Sequence, residues 1–280
     1  MTSYLIGLIG SGIGPSLSPP LHEREAAFLG LRYLYRLIDI DELGVSGDAV
    51  GELVRTARRF GFDGLNVTHP CKQAVIEHLD GLSPDAATLG AVNTVIFEGD
   101  RGIGHNTDWT GFAQAFARGL PDARTRRIVQ LGAGGAGAAV AYALLTLGAD
   151  HITLVDAEPA RARALAARFG EGRVGAALPA DLPRLMPDAD GLVHATPTGM
   201  AHHPGLPLPA ELLHPDLWVA DIVYRPLRTE LLREAEVRGC RTLNGGGMVV
   251  FQAAQAFRLF TGREPDAERM FAHLTSLVTA

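Results

Sequence analysis

The sequence predicts an α/β protein of two domains. Three observations carry that reading. The chain has 280 residues and is 47% apolar, enough for two buried cores of ordinary size. Apolar runs of strand length alternate with segments of helical period in both halves, the pattern of parallel-rich sheets covered by helices. A glycine-rich string near residue 132 opens a second strand–helix series.

In the first hundred residues the candidate strands are Tyr4–Ile9, Tyr33–Asp39, Gly64–Val67 and Ala91–Phe97. Helical patterns fill the gaps. Asp48–Phe60 sets Val50, Leu53, Val54, Ala57 and Phe60 on one face and turns Arg55, Arg58 and Arg59 away, as a helix covering a sheet does. The second series begins near Arg126 with the strand Ile128–Leu131 and an alanine-rich helix, Ala138–Leu147. It continues with a strand at His151–Val155, a helix at Pro159–Phe169, and apolar runs at Gly191–Ala195 and Leu217–Val223. From Met248 onward two helices are expected, separated by the turn Thr261-Gly262-Arg263-Glu264-Pro265.

Composition excludes several function classes. The net charge is −6, with acids and bases interspersed, so no basic stripe exists to neutralise a phosphate backbone and nucleic acid is not an expected partner. Cys71 and Cys240 are too few for a disulfide framework and lack metal-ligand spacing; no metal is expected, and Cys71 reads as a small buried hydrophobe. The N-terminus begins as a strand rather than as a signal peptide, and no apolar run reaches membrane-spanning length. A cytoplasmic protein with no membrane partner is expected.

Gly132-Ala133-Gly134-Gly135-Ala136-Gly137 is a G-x-G-x-x-G string placed directly after a strand and at a helix start. In that context the first glycine permits the tight turn, the second admits a pyrophosphate, and the third lets helix and strand pack closely. Amides at the helix N-terminus then face the phosphates. The strand–turn–helix–strand unit is complete, which predicts a Rossmann-type dinucleotide domain. Its second strand ends at Asp156, about twenty residues on, where a carboxylate binds the adenosine ribose hydroxyls or, alternatively, caps the helix at Pro159. Asp156 repels a 2′-phosphate, whereas Arg161 and Arg163 nearby are able to accommodate one. The charge argument favours NAD and leaves NADP compatible.

Four further strings place polar side chains in loops at strand ends: Ser16-Leu17-Ser18-Pro19, Asn66-Val67-Thr68-His69-Pro70-Cys71-Lys72, Ala91-Val92-Asn93-Thr94 and Asn106-Thr107-Asp108. Singly, each has an ordinary explanation as a helix cap, turn former or solvated amine. Together, in this order, they resemble the shikimate/quinate dehydrogenase family, whose pattern is S-x-S-P, N-V-T-x-P-x-K, A-V-N-T, N-T-D and then a G-A-G-G loop. The resemblance runs essentially end to end. Ala195-Thr196-Pro197-Thr198-Gly199-Met200 resembles the loop beside the nicotinamide. Asp221-Ile222-Val223-Tyr224-Arg225-Pro226 resembles a D-x-x-Y-x-P turn, and Gly247 to Gln252 the start of the closing helix.

The resemblance implies an α/β substrate domain of residues 1–107 completed by 247–280, a dinucleotide domain of residues 108–246, and an active site in the cleft between them. It implies that Ser16 and Ser18 hold a ring carboxylate, that Asn66, Thr68, Asn93, Asp108 and Gln252 line the ring, and that Lys72 sits at the reacting carbon. Tyr224 and Gly245 then approach substrate and nicotinamide from the far wall, while Thr196, Pro197, Met200, Val223 and Met248 complete the cofactor set. It also implies a small ring acid as substrate, reversible hydride transfer to NAD(P), and a monomer or homodimer serving aromatic biosynthesis or quinate catabolism.

Oxidising a secondary alcohol sends a hydride to the nicotinamide and a proton to a base within hydrogen-bond reach. Lys72 is the candidate base, and in reverse its N–H polarises the ketone. A carboxylate beside an amine favours its charged form while burial opposes it, so Lys72 and Asp108 are expected to act as one coupled pair. Three departures from the common biosynthetic pattern bear on specificity. Asp156-Ala157-Glu158 stands for N-R-T, His22-Glu23 for His-Asn, and His194 for an asparagine. The first favours NAD; the others leave quinate, shikimate and aminated analogues open. A non-catalytic sensor is opposed by retention of Lys72 with Asp108, and a folate or amino-acid dehydrogenase by the S-x-S-P string and Gln252.

Overall fold

A computed structural model describes residues 2–170 and 172–279. The chain forms two compact units, residues 1–110 with 250–280, and residues 111–249. The chain passes between them inside two continuous helices rather than in loops, which is why sequence periodicity alone gives no boundary there.

In the first unit the strands are β1 (Ser3–Gly10), β2 (Arg32–Asp39), β3 (Gly64–Val67), β4 (Gly81–Leu82), β5 (Thr94–Glu98) and β6 (Arg101–His105). Its helices are α1 (Ser18–Phe28), α2 (Val50–Arg59), the single turn α3 (Cys71–Ala74), α4 (Pro84–Leu89) and the start of α5 (Asp108–Gly119). The sheet order is β2-β1-β3-β5-β6-β4. β1 pairs in parallel with β2 and β3, whereas β5 is antiparallel to both β3 and β6. β1 is buried on both faces, hence its near-continuous apolar run. Ile9 packs with Leu65, Val67 and the Val50, Val54 and Ala57 stripe of α2, and Ile6 and Leu8 pack on the other face with Tyr35, Ala256 and Phe260.

The second unit contains β7 (Arg127–Leu131), α6 (Gly135–Thr146), β8 (His151–Val155), α7 (Pro159–Phe169), β9 (Val174–Ala177), the single turn α8 (Leu182–Leu185), β10 (Gly191–His194), β11 (Trp218–Asp221), α9 (Glu230–Val237), β12 (Arg241–Leu243) and the start of α10 (Gly246–Thr261). The last helix, α11 (Ala267–Thr279), belongs to the first unit. All six strands are parallel, in the order β12-β11-β10-β7-β8-β9. The order reverses between β7 and β10, giving the switch point at which open α/β sheets bind ligands beyond the strand C-termini.

The expected strand Ala91–Phe97 begins instead at Thr94. Val92 donates its N–H to the Lys72 carbonyl at 2.8 Å, so this stretch ties the loop before β5 to α3 rather than extending the ladder. β4, β6, β9, α9 and β12 lie outside the expected elements: the strands are short or glycine-containing, and pairing rather than propensity makes them.

Candidate functional site

Lys72 lies on α3, one turn after β3, and Asp108 opens α5 directly after β6. Lys72 Nζ donates to Asp108 Oδ2 at 2.6 Å, and both side chains are largely shielded from solvent. Asn93 donates from Nδ2 to Asp108 Oδ1 at 2.9 Å and to Thr107 Oγ1 at 3.0 Å. Its Oδ1 accepts the Thr107 N–H at 2.7 Å and the Thr94 hydroxyl at 3.0 Å. Asn106 Oδ1 accepts the Asp108 N–H at 3.1 Å. The carboxylate is thus fixed at one oxygen by Lys72 of α3 and at the other by Asn93 from the loop before β5.

The network runs on. Asn66 donates from Nδ2 to Thr94 Oγ1 at 3.0 Å and to the Asn93 carbonyl at 3.2 Å, while Tyr35 donates its hydroxyl to Asn66 Oδ1 at 2.7 Å. Burial pushes the Tyr35 phenol well above its ordinary value, opposed by a hydrogen bond with the Ser18 side chain. Ser18 in turn donates its N–H to Ser16 Oγ at 3.3 Å. A chain of polar contacts therefore joins Ser16 and Ser18 to Lys72 through Tyr35, Asn66, Thr94, Asn93 and Asp108. Thr68 lies between β3 and α3, its N–H bonded to the Ile9 carbonyl at 2.9 Å. Gln252 is in the second turn of α10 and belongs to the same unit.

Sequence reasoning missed Tyr35 and Asp39 as parts of this site, because both look like ordinary strand residues. Asp39 accepts the N–H groups of Gly12 at 3.1 Å and Ile13 at 2.8 Å, shaping the turn that leads to Ser16. Burial raises its carboxyl, but backbone amides from Asp41, Ile13, Gly12 and Gly14 outweigh that and leave it below the usual range. Tyr35 and Asp39 are the two buried residues of β2, and a buried Asp at a strand end requires several donors.

In the second unit the glycine string follows β7 and opens α6. Gly132 has φ +100°, and a Cβ there would lie 2.5 Å from the Ala195 carbonyl; one on Gly137 would lie 2.3 Å from the Gly132 carbonyl. Above Gly134 there is open space to at least 4 Å. The loop therefore has closed walls at its first and last glycines and an open floor between, with helix N-terminal amides beside it, which fits a pyrophosphate. Gln130, fully buried, braces the loop by donating from Nε2 to the Gly132 and Gly137 carbonyls at 2.9 and 2.8 Å. That brace was not legible from the motif.

Ala133, Gly135 and Ala136 complete the turn. Asp156, at the end of β8, accepts the Ala133 N–H at Oδ2 and the Glu158 N–H at Oδ1, both at 2.8 Å. Arg161 pairs with Glu158 at 2.8 Å on the exposed surface. Thr196 and Pro197 follow β10 on the loop that reaches Met200, with the Thr196 methyl about the first loop glycine. Gly245 backs directly onto the Ile222 and Val223 carbonyls, since a Cβ would meet them at 2.3 and 2.7 Å. Met248 is buried in the first turn of α10. The Tyr224 phenol is raised by burial, partly offset by the Arg225 charge. Among the described residues no group of three or more His, Cys, Asp or Glu side chains is arranged to hold a metal ion, and no helix is long and apolar enough to cross a membrane.

Three family models match the chain. One described as the shikimate dehydrogenase substrate binding domain covers residues 8–95, one described as shikimate/quinate 5-dehydrogenase covers residues 114–202, and one described as the shikimate 5′-dehydrogenase C-terminal domain covers residues 245–272. The chain is 72% identical to a shikimate dehydrogenase (NADP(+)) of Streptomyces avermitilis over 98% of its length and 96% of the relative's. It is 48% identical to a quinate/shikimate dehydrogenase (NAD(+)) of Corynebacterium efficiens over 98% of its length and 99% of the relative's. Among solved structures, the quinate dehydrogenase of Corynebacterium glutamicum in complex with NAD superposes with a TM-score of 0.93 at 44% identity, covering 99% of this chain and 100% of that one.

Proposed function

The chain belongs to the shikimate/quinate dehydrogenase family and oxidises shikimate, quinate or both with NAD(P), and we propose that Lys72 and Asp108 are the pair that handles the proton. The observation that carries this is their 2.6 Å contact, with Asp108 held from its other oxygen by Asn93. A bound nicotinamide supplies the hydride acceptor. The ring hydroxyl donates to the pair and loses its proton as its carbon becomes a ketone. In the reverse direction a Lys72 N–H donates to the carbonyl oxygen and stabilises the alkoxide that develops there. Asn93 and Asn106 keep Asp108 in place, so Lys72 does not have to be reoriented as the reaction proceeds.

The remaining assignments are carried over from the family resemblance. Ser16 and Ser18 bind the ring carboxylate, and Asn66, Thr68, Asn93, Tyr224 and Gln252 select the ring hydroxyls. Gly132 to Gly137 hold the pyrophosphate, Asp156 and Arg161 lie on the adenosine side, and Thr196, Pro197, Met200, Val223, Gly245 and Met248 serve the nicotinamide side. For the cofactor, NAD is the preferred reading, although the relatives' names are divided between the two nucleotides. Asp156 presents negative charge where a 2′-phosphate would sit, and Arg161, the nearby cation, is already paired with Glu158. Two buried free cysteines suit a reducing compartment and support a cytoplasmic location.

The test is a grid of kcat and KM for shikimate and quinate, each with NAD and NADP, on the wild type and on Lys72→Ala and Asp108→Ala. Both variants are expected to lose roughly 10²-fold or more in kcat with little change in KM. Near-wild-type turnover in either purified variant removes that residue from the pair. A higher kcat/KM with NADP than with NAD overturns the cofactor assignment alone.

A further inference from the structure

The second unit holds a buried polar relay that the glycine loop and Asp156 leave unexplained. His194 and Asp221 end the neighbouring strands β10 and β11, and both side chains are fully buried. His194 Nδ1 lies 2.9 Å from Asp221 Oδ1, and His194 Nε2 lies 2.5 Å from Thr196 Oγ1. Asp221 also accepts the Val223 N–H at 3.0 Å and the Thr229 hydroxyl at 2.7 Å, and Thr229 in turn caps α9 by accepting the Leu232 N–H at 3.3 Å.

With Asp221 ionised and the imidazole neutral, the direction of each bond follows. An ionised carboxylate only accepts, so Nδ1 carries the proton toward Asp221; in the neutral ring Nε2 is then an acceptor, and the Thr196 hydroxyl must donate to it. With its proton committed to His194, Thr196 Oγ1 has only lone pairs to offer elsewhere. One faces the Thr198 N–H at 3.3 Å.

Thr196 is only half-buried, and its methyl lies 3.0 Å from where a Gly132 Cβ would be. It therefore stands in the crevice between β7 and β10, at the reversal of strand order. With the pyrophosphate on the glycine loop and the adenosine ribose on the β8 side at Asp156, the other half of a dinucleotide falls on the β10 side. That half ends in a carboxamide, whose NH2 group is a hydrogen-bond donor.

We propose that His194 is a positioning residue that, held by Asp221, fixes Thr196 Oγ1 as a hydrogen-bond acceptor for the nicotinamide carboxamide. The inference rests on the dinucleotide reading of this unit and adds to it the polarity of one contact. It also gives His194, a departure from the asparagine common at this position, a chemical consequence: the ring has a second nitrogen that accepts from Thr196, whereas an asparagine amide reaches only as far as Nδ1.

The experiment compares ligands with and without the carboxamide. Binding of NAD and of ADP-ribose is measured by calorimetry on the wild type and on His194→Asn, Thr196→Val and Thr196→Ser. His194→Asn keeps the donor to Asp221 and removes only the contact to Thr196. It and Thr196→Val are expected to weaken NAD about tenfold, the worth of one hydrogen bond, with ADP-ribose unchanged; Thr196→Ser retains wild-type affinity for both. Equal losses for NAD and ADP-ribose, or no loss for either, overturn the proposal in favour of a purely structural relay. A wild type that binds neither ligand refutes the dinucleotide reading as well, so the two failures are distinct. Should the variants not fold, nitrogen-15 spectra of the wild-type imidazoles decide: the proposal requires a His194 ring protonated at Nδ1 and bare at Nε2, and the reverse pattern overturns it.

Discussion

The two candidate sites are built from opposite materials. In the first unit, recognition is a lattice of side chains: Asn93 alone makes contacts to Asp108, Thr107 and Thr94. In the second unit, the glycine loop works by the absence of side chains, its backbone closed against Ala195 at one end and open above Gly134. A side-chain lattice fails when one member leaves the others buried and unpaired; a backbone cradle fails when an atom is added. The same size of substitution should therefore produce different signatures in the two units.

The largest effect is expected at Gly132. Alanine there must adopt φ +100° and place Cβ 2.5 Å from a backbone carbonyl, which costs ~3 kcal/mol or more and lowers the urea midpoint of the unit. Gly134→Ala adds the same methyl to open space. It should leave the urea midpoint within experimental error while weakening dinucleotide binding about tenfold, because the methyl occupies the pyrophosphate's approach. If both variants lose stability equally, the loop is a packing feature rather than a cradle.

Asn93→Ala comes next and inverts that pattern. It strands Asp108 Oδ1, the Thr107 N–H and the Thr94 hydroxyl, at roughly 1–3 kcal/mol for each group that water fails to reach. Dinucleotide affinity should stay at the wild-type level while kcat falls, since the lost contacts orient Asp108. Wild-type kcat with an intact fold would show that Lys72 alone suffices to hold Asp108.

This asymmetry also explains what the sequence made legible. The second unit's motif is local: strand, six residues and helix carry their own geometry, and His151–Val155 and Pro159–Phe169 emerge with the expected bounds. The first unit's site is assembled from four loops far apart in the chain, so spacing alone gave only polar residues at strand ends. Their order resembled a family, but the linking members Tyr35 and Asp39 were hidden as alternate positions of a strand. The hairpin partner β6, Arg101–His105, went unseen because two of its five residues are glycines, and the antiparallel pairing with β5 forms it. Gln130 was invisible for a similar reason: a polar residue inside an apolar strand signals a buried partner without saying which.

Ser18→Ala sharpens the comparison on a smaller scale. Its carboxylate contact is much the same in ground and transition states, so KM for the ring acid should rise about tenfold with kcat little changed. The Tyr35–Asn66 bond should survive, because Ser18 is not needed for it. A loss confined to kcat, measured under saturating cofactor, would move Ser18 from binding into the chemistry.

The smallest expected effect concerns the first unit's own buried histidine. His22 sits among Tyr33, Tyr35, Phe257 and Phe260, with Tyr33 Oη 2.9 Å from Nδ1. Unlike His194 it has no carboxylate at its ring, and burial lowers its pKa from 6.5 to about 3. The unfolded chain therefore binds more protons than the folded one between those values. The stability linked to His22 is fully present above pH 6.5 and is lost as pH falls toward 3. Between about pH 7 and about pH 5.5 the loss amounts to ~1 kcal/mol from this residue. His22→Gln is less stable throughout, because it packs poorly among the rings, but its urea midpoint should fall less over that interval than the wild type's. Parallel curves for the two proteins would mean that His22 takes up its proton inside the fold, in which case an aromatic surround without a paired acid is not enough to keep a histidine neutral here.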